Sequence, residues 1–201
     1  HAVDAWVNCP FRLYPAYRDI HAAISGGPLD IAVSGARWNM ASNAIHYLDL
    51  FAYLTGSDNL RIDTGGLHAS TLDSKHAGYR ELTGHMTAED ARGNRCRLRC
   101  FDDGGAGVTV TIAVPDGSWV IDESAGHLIT TGGDADPTVE QVSIPLQSEL
   151  TGGVIDSILR TGTTQLTSYG ESRIHHEALI GALCGFFAEV RGTPVTACPI
   201  T

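Results

Sequence analysis

Four polar side chains share one side of a helix that the sequence predicts over residues 41–55. At about 100° per residue, Ser42, Asn43, His46 and Asp49 fall within a stripe roughly 120° wide. The other sides of this helix are apolar, so we expect the helix to be buried. Buried hydroxyl, amide, imidazole and carboxylate groups need partners inside the protein or a cavity to face.

Two interpretations of this polar stripe follow from the residues alone. In the first, His46 and Asp49 bind neighbouring backbone groups inside a core, which is the usual situation of a single buried histidine. In the second, the stripe lines a pocket and His46 transfers a proton, because an imidazole changes its charge near neutral pH.

The elements that would position this helix begin near the N-terminus. The sequence predicts a strand over Ala5–Leu13, a helix from Tyr14-Pro15 to the glycines Gly26-Gly27, and a strand over Leu29–Val33. Proline suits the first turn of a helix, and Gly56 is expected to end the 41–55 helix.

After residue 60 the apolar period changes to two, which indicates β-strands. Successive runs predict strands at 61–63, 81–90, 94–101, 108–114, 119–122, 127–130 and 140–144. Turn signals such as Asp102-Asp103-Gly104-Gly105 separate them, so we expect antiparallel hairpins in series. Helices over Leu150–Arg160 and Ser168–Arg191 close the chain, which gives an α+β order of elements.

Composition excludes several classes of protein. The 201 residues carry 23 acidic and 13 basic side chains, a net charge of −10, without a basic cluster, which argues against nucleic-acid or anionic-membrane partners. No apolar run approaches the roughly 18 residues of a membrane span, and no secretory leader is recognisable. Five cysteines, an odd number, fit reduced thiols, so we expect a cytoplasmic protein.

The order of motifs resembles the C-terminal domain of the Gfo/Idh/MocA oxidoreductases over essentially the whole chain. The resemblance rests on Arg12-Leu13-Tyr14-Pro15, on the run N-A-I-H-Y-L-D-L-F-A-Y-L-T-G at 43–56, and on a meander, a long helix and a closing C-P-I-T. It implies an open, mostly antiparallel sheet with helices on one face, as in the dihydrodipicolinate-reductase-like domain. It also implies a dehydrogenase that uses NAD or NADP and acts on a sugar, a polyol or a nucleotide sugar.

The resemblance also assigns expected site residues. His46 corresponds to the histidine that protonates or deprotonates the substrate hydroxyl. Ser42 stands where many members have a catalytic aspartate, which favours a branch in which Asn43 positions the substrate. Asp49 completes the polar stripe as a further substrate-binding candidate.

Three residues outside the helix are further substrate-binding candidates. Arg12 could bind a substrate carboxylate or phosphate in a bidentate manner, or be a surface arginine. Lys75, the single lysine, lies in a loop of the kind that carries substrate contacts. Trp38 could cover a sugar face or be part of the core.

The sequence contains no G-x-G-x-x-G fingerprint, and the nearest glycines, Gly104–Gly107, are expected in a hairpin turn. Without a βαβ unit, we expect residues 1–201 to be a single substrate-binding and oligomerisation domain that lacks the Rossmann domain. No metal site is predicted, because Cys96 and Cys100 would stand about 13 Å apart on a strand.

The predicted sheet raises the question of assembly. With Val110 and Ile112 facing the core, Thr109, Thr111, Leu98 and Trp119 are expected on a mixed outer surface. Such a face suits pairing with a second copy of the chain, so we expect a homodimer or tetramer. The alternative is that this face is polar and exposed to solvent, as antiparallel sheets allow. Besides the dehydrogenase, two other functions remain open: a non-catalytic binding module, and a hydrolase or isomerase that uses His46 and Asp49.

Overall fold

A computed structural model describes residues 3–133 and 136–200, in which helices lie on both sides of a long run of strands. The α-helices are α1 (Pro15–Ala23), α2 (Met40–Thr55), α3 (Gln147–Thr161) and α4 (Tyr169–Arg191), and a 3-10 helix covers Pro10–Leu13. The strands are β1 (Asp30–Ala36), β2 (Arg61–Leu67), β3 (Leu72–Asp73), β4 (Arg80–Glu81), β5 (Gly84–Glu89), β6 (Arg95–Phe101), β7 (Thr109–Val114), β8 (Gly117–Asp122), β9 (His127–Gly132) and β10 (Thr138–Gln141).

Eight of the described strands form one sheet in the order β10-β9-β8-β7-β1-β6-β5-β2, and β3 pairs with β4 separately. Within the large sheet every described pair is antiparallel except β1–β6, which is parallel. The predicted α+β class with a mostly antiparallel sheet is confirmed.

The expected β6–β7 hairpin is wrong, because β1 lies between these two strands. Asp30 of β1 is aligned with Arg95 on one side and with Ala113 on the other. The glycine-rich segment after β6 therefore passes the end of β1, where the Ala36 N–H donates to the Ala106 carbonyl at 3.0 Å. Strand β1 pairs with strands that are distant in sequence, so no turn motif in the sequence predicts this pairing.

Alternation of buried and more exposed side chains along the central strands shows that one face of the sheet is covered, and α2 packs against β6 of this sheet. On β1, Ile31 and Val33 are buried, and in register with Val33 on β6 lies Leu98, which is only 1% exposed. Trp119 also packs against this core. The expectation that Leu98 and Trp119 lie on a mixed outer surface is therefore wrong, whereas Val110 and Ile112 face the core as predicted.

The N-terminal strand predicted over Ala5–Leu13 is also wrong. Only Trp6 forms a bridge, to Ser168 in front of α4, and the chain then turns into the 3-10 helix at Pro10. Proline lacks the N–H that a ladder requires, so a strand cannot continue regularly through this position. The predicted strand at 81–90 is interrupted at Gly84, whose φ of +97° breaks the extended backbone between β4 and β5.

Helix α2 matches its prediction closely. It ends at Thr55, and Gly56 adopts a left-handed conformation with φ +64° while its N–H binds the Ala52 carbonyl. Ten of its residues are buried, as its nearly all-round apolar surface predicts. Within the described ranges, no helix combines the length and the apolar character needed to cross a membrane.

Candidate functional site

The polar stripe of α2 divides between the packing of the domain and an open cavity. Asp49 belongs to the packing: it is 1% exposed, and its carboxylate accepts hydrogen bonds from Nε and Nη2 of Arg12 at 2.9 and 2.7 Å. Burial raises the pKa of Asp49, and the Arg12 guanidinium opposes this shift. The pair therefore joins the 3-10 helix to α2.

Ser42 and Asn43 fasten the first turn of α2. The Ser42 hydroxyl and the Ala41 N–H both bind the buried carboxylate of Glu81, at the end of β4. A carboxylate at this position satisfies a free helical N–H and interacts favourably with the helix dipole. Asn43 donates from Nδ2 to the Trp38 carbonyl at 2.8 Å, which fixes the turn that enters the helix.

His46 faces a cavity of about 310 Å³ beside the N-terminal half of α2. Among the side chains that line this cavity are Phe11, Trp38, Asn43, His46, Tyr47 and Glu123. The His46 ring lies 5.7 Å from the Phe11 ring, centroid to centroid. Its Nδ1 atom is buried and has no hydrogen-bond partner within the described part of the chain.

A carboxylate held by two tyrosines occupies the same cavity. The hydroxyl groups of Tyr17 and Tyr47 each donate to one oxygen of Glu123, both at 2.9 Å. Glu123 directly follows β8, and its N–H binds the Val108 carbonyl at 3.0 Å. The three side chains thereby form a fixed polar cluster, and two of them, Tyr47 and Glu123, line the cavity that His46 also lines.

Burial shifts the pKa values of His46 and Glu123, which both line this cavity, in opposite directions. It lowers the pKa of His46, with a smaller contribution from the positive charge of His176. It raises the pKa of Glu123, against which the two tyrosine hydroxyls act. Desolvation disfavours the charged form in both cases, so His46 is neutral near pH 7 and able to accept a proton.

The substrate-binding candidates outside α2 lie in different places. Arg12 does not line the His46 cavity, and its guanidinium group donates two hydrogen bonds to Asp49. Trp38, 7% exposed, does line it, with Nε1 donating to the Arg99 carbonyl at 2.9 Å and its ring meeting Tyr47 edge-on. Lys75 is exposed in the β3–β4 connection and is not among the residues around this cavity.

The cysteines are consistent with reduced thiols. Cys96 and Cys100 are buried on the core face of β6 and form no disulfide. In residues 3–133 and 136–200, no three histidine, cysteine, aspartate or glutamate side chains come together as metal ligands.

Glu123 is the member of this site that the sequence reasoning missed. It lies in the Glu123–Gly126 turn, 106 residues from Tyr17 and 76 from Tyr47, so no local pattern connects the three. The one available signal was an acidic residue two positions after the core-facing Ile121, just past the end of the strand, where the alternation of side chains places it on the same face as Ile121.

Comparison with known proteins gives matches in structure alone. No protein-family model and no curated protein matches the sequence, whereas many solved structures match the fold. UDP-N-acetylglucosamine 3-dehydrogenase from Acidithiobacillus ferrooxidans aligns with a TM-score of 0.67 and 13% identity, covering 89% of this chain and 61% of that one. An oxidoreductase from Agrobacterium radiobacter, solved with NAD+, L-tartaric acid and magnesium, aligns with a TM-score of 0.65 and 15% identity, covering 96% and 65%.

A dehydrogenase from Clostridium difficile aligns with a TM-score of 0.55 and 14% identity, covering 94% of this chain and 62% of that one. The chain has the fold of a dehydrogenase domain. It spans less than two thirds of the length of these structures. At such identities the likeness concerns the fold, and the narrower assignment to the C-terminal domain of Gfo/Idh/MocA oxidoreductases stays a prediction.

Proposed function

We propose that this chain is the substrate-side domain of a nicotinamide-dependent dehydrogenase that acts on a hydroxyl or carbonyl group of a sugar, polyol or nucleotide sugar. The observation that carries the proposal is a cavity lined both by a neutral His46, whose buried Nδ1 has no partner in the described part of the chain, and by a carboxylate held by two tyrosines. Structures with this fold include a UDP-sugar dehydrogenase and an oxidoreductase bound to NAD+, which supports this reaction class.

The described residues do not fit a dinucleotide. Phosphates need a glycine-rich turn at a helix N-terminus, and the segment Gly104–Gly107 joins β6 to β7 instead. In the proposal, the cofactor is held outside the described residues. Nicotinamide cofactors exchange a hydride with carbon in reactions of this class.

The proton step belongs to the residues of this chain. When a substrate alcohol is oxidised, its hydroxyl proton passes to the neutral imidazole of His46, and in the reverse reaction the imidazolium returns it to the carbonyl oxygen. In this proposal Glu123 is a positioning residue, because its fixed carboxylate would accept a hydrogen bond from a neighbouring substrate hydroxyl. Trp38 and Tyr47 would form the apolar wall against which the substrate packs.

The decisive experiment measures reduction of NAD and NADP by absorbance, using the natural full-length protein that contains this chain and a panel of sugars and nucleotide sugars. With an accepted substrate, His46→Ala should lower kcat by about 10²–10⁴-fold, the range of general acid–base catalysis. His127→Ala is the matched control, because His127 is exposed on β9. Turnover of His46→Ala within about threefold of wild type would refute proton transfer by His46.

A non-catalytic module of the same fold is the second candidate. It is favoured by the fact that Ser42, Asn43 and Asp49 all bind protein groups rather than face the cavity freely. In that case no substrate in the panel would be oxidised by the full-length protein, although the sugar would still bind.

A further inference from the structure

A second cavity, of about 260 Å³, lies beside the C-terminal half of α2 and shares no lining residue with the His46 cavity. Its polar lining comes from the 3-10 helix, from the end of α2 and from the start of α4. Among the side chains around it are Arg12, Tyr53, Asp58, Thr167, Glu171 and His175.

The inner part of this second cavity contains a buried histidine ring. His175 is 3% exposed, and neither of its ring nitrogens has a partner at hydrogen-bonding geometry in the described part of the chain. The fully buried hydroxyl of Thr167 lies near the carboxylates of Asp49 and Glu171, which can accept its hydrogen bond. Buried polar groups are almost always hydrogen-bonded, so the ring of His175 indicates a bound molecule or ordered water.

The charges around this cavity restrict what that molecule can be. Asp49 already neutralises Arg12, whose Nη1 takes no part in their two hydrogen bonds. Asp58 and Glu171 are exposed at the edge, so the surroundings carry an excess of negative charge that disfavours an anion.

The hydrogen-bonding capacity of the lining excludes a simple cation as well. Burial lowers the pKa of His175, so near pH 7 its ring presents one N–H donor and one acceptor nitrogen. An ammonium group has no acceptor for that N–H or for the guanidinium of Arg12. A hydroxyl group both donates and accepts, and several hydroxyls on one carbon chain would serve His175, Thr167, Arg12 and the two edge carboxylates together.

We propose that this second cavity is a binding site for a small uncharged polyhydroxyl compound. At about 30 Å³ for each water-sized group, the cavity holds about nine such groups, which corresponds to a polyol of three or four carbons. Ile174 lies in the lining and supplies an apolar surface for the carbon chain, beside the ring of Tyr53, on which Arg12 lies at 5.3 Å and His21 stacks at 4.3 Å. The site does not depend on the reaction proposed for His46.

The test follows the histidine ring resonances of the wild-type chain by NMR during titration with glycerol and erythritol. We expect saturable shifts of His175 at millimolar concentrations and no shift of the exposed His127, which controls for general solvent effects. Inorganic phosphate and ethanolamine, titrated in parallel, should leave His175 unchanged or bind at least about tenfold more weakly.

Three results would overturn the proposal: no saturable shift of His175 up to about 100 mM polyol, stronger binding of phosphate or ethanolamine, or shifts confined to His46. Thr167→Val provides the second measurement, because it removes one hydroxyl while keeping the shape of the side chain. It should weaken polyol binding about tenfold or more, and unchanged affinity would also contradict the proposed site.

Discussion

Removal of Arg12 tests whether the buried ion pair with Asp49 holds the 3-10 helix against α2. Their side chains are 13% and 1% exposed, and two hydrogen bonds join them. In Arg12→Ala the Asp49 carboxylate stays buried without its counter-charge. Breaking a buried pair in this way costs about 3–5 kcal/mol, so we expect a loss of that size in the free energy of unfolding at pH 7.

The matched control is Arg95→Ala, which breaks an ion pair of similar length in a different environment. Arg95 binds Glu89 at 2.8 Å, but its side chain is 53% exposed. Exposed pairs contribute about 0–1 kcal/mol, so the control should lose several-fold less stability than Arg12→Ala. Urea unfolding of both variants, with unchanged slope against denaturant, provides the measurement.

The stability of Arg12→Ala should also depend on pH in a direction that the burial of Asp49 determines. Burial already raises the pKa of Asp49 above its ordinary value of 3.8, and Arg12 acts against that rise. Without Arg12 the pKa rises further, so the folded variant holds a proton that the unfolded chain releases. Its stability therefore falls as pH rises from 3.8 through the raised pKa, by up to about 1.4 kcal/mol per pH unit.

Measured against wild type, the deficit of Arg12→Ala should thus be largest near pH 7 and shrink in acid. Adding Asp49→Asn removes the buried charge, so the double variant should lose clearly less than the sum of the two single losses. A loss below about 1 kcal/mol at pH 7, or a deficit that grows in acid, would refute this account of the pair.

Three further predictions concern the rest of the domain. Glu123→Ala should lower the free energy of unfolding by about 2–4 kcal/mol, because it leaves the hydroxyls of Tyr17 and Tyr47 without an acceptor. Glu123→Gln and the exposed control Glu140→Ala should each lower it by less than about 1 kcal/mol. Equal losses for the three variants in urea unfolding would contradict this prediction. Residues 1–201 should not bind NAD or NADP tightly, and micromolar binding in calorimetry would contradict that expectation. Light scattering should give a multiple of 21.3 kDa if the outer sheet face pairs two copies, and a concentration-independent single-chain mass would exclude it.

The parts of the fold that the sequence predicted are those set by local patterns. Helix α2 follows from its apolar period and from Gly56, and the hairpins β7–β8 and β8–β9 follow from turns between alternating runs. The position of β1 between β6 and β7 depends on pairing across 65 residues and more, as between Asp30 and Arg95. The local sequence of such a strand does not indicate which other strands it pairs with.

The candidate site shows the same division between local and distant information. His46 was predicted because one helix displays the polar stripe around it, but the partners of its neighbours come from other elements. Asp49 binds Arg12, Ser42 binds Glu81, and each partner is more than 35 residues away. Sequence spacing can show that these side chains need partners, but the tertiary arrangement decides which ones find them.

Helix α2 combines contacts that pack the domain with residues of the candidate site. Near its start, α2 is fixed by Glu81 and by the Asn43–Trp38 contact, and near its middle by Arg12, so His46 lies between two fixed points of the helix. A histidine on a helix held in this way keeps its place in the lining of the cavity, although its Nδ1 atom has no partner within the described part of the chain. Its buried, unpartnered nitrogen is then tolerated because the stability lost there is offset by the neighbours that anchor the helix.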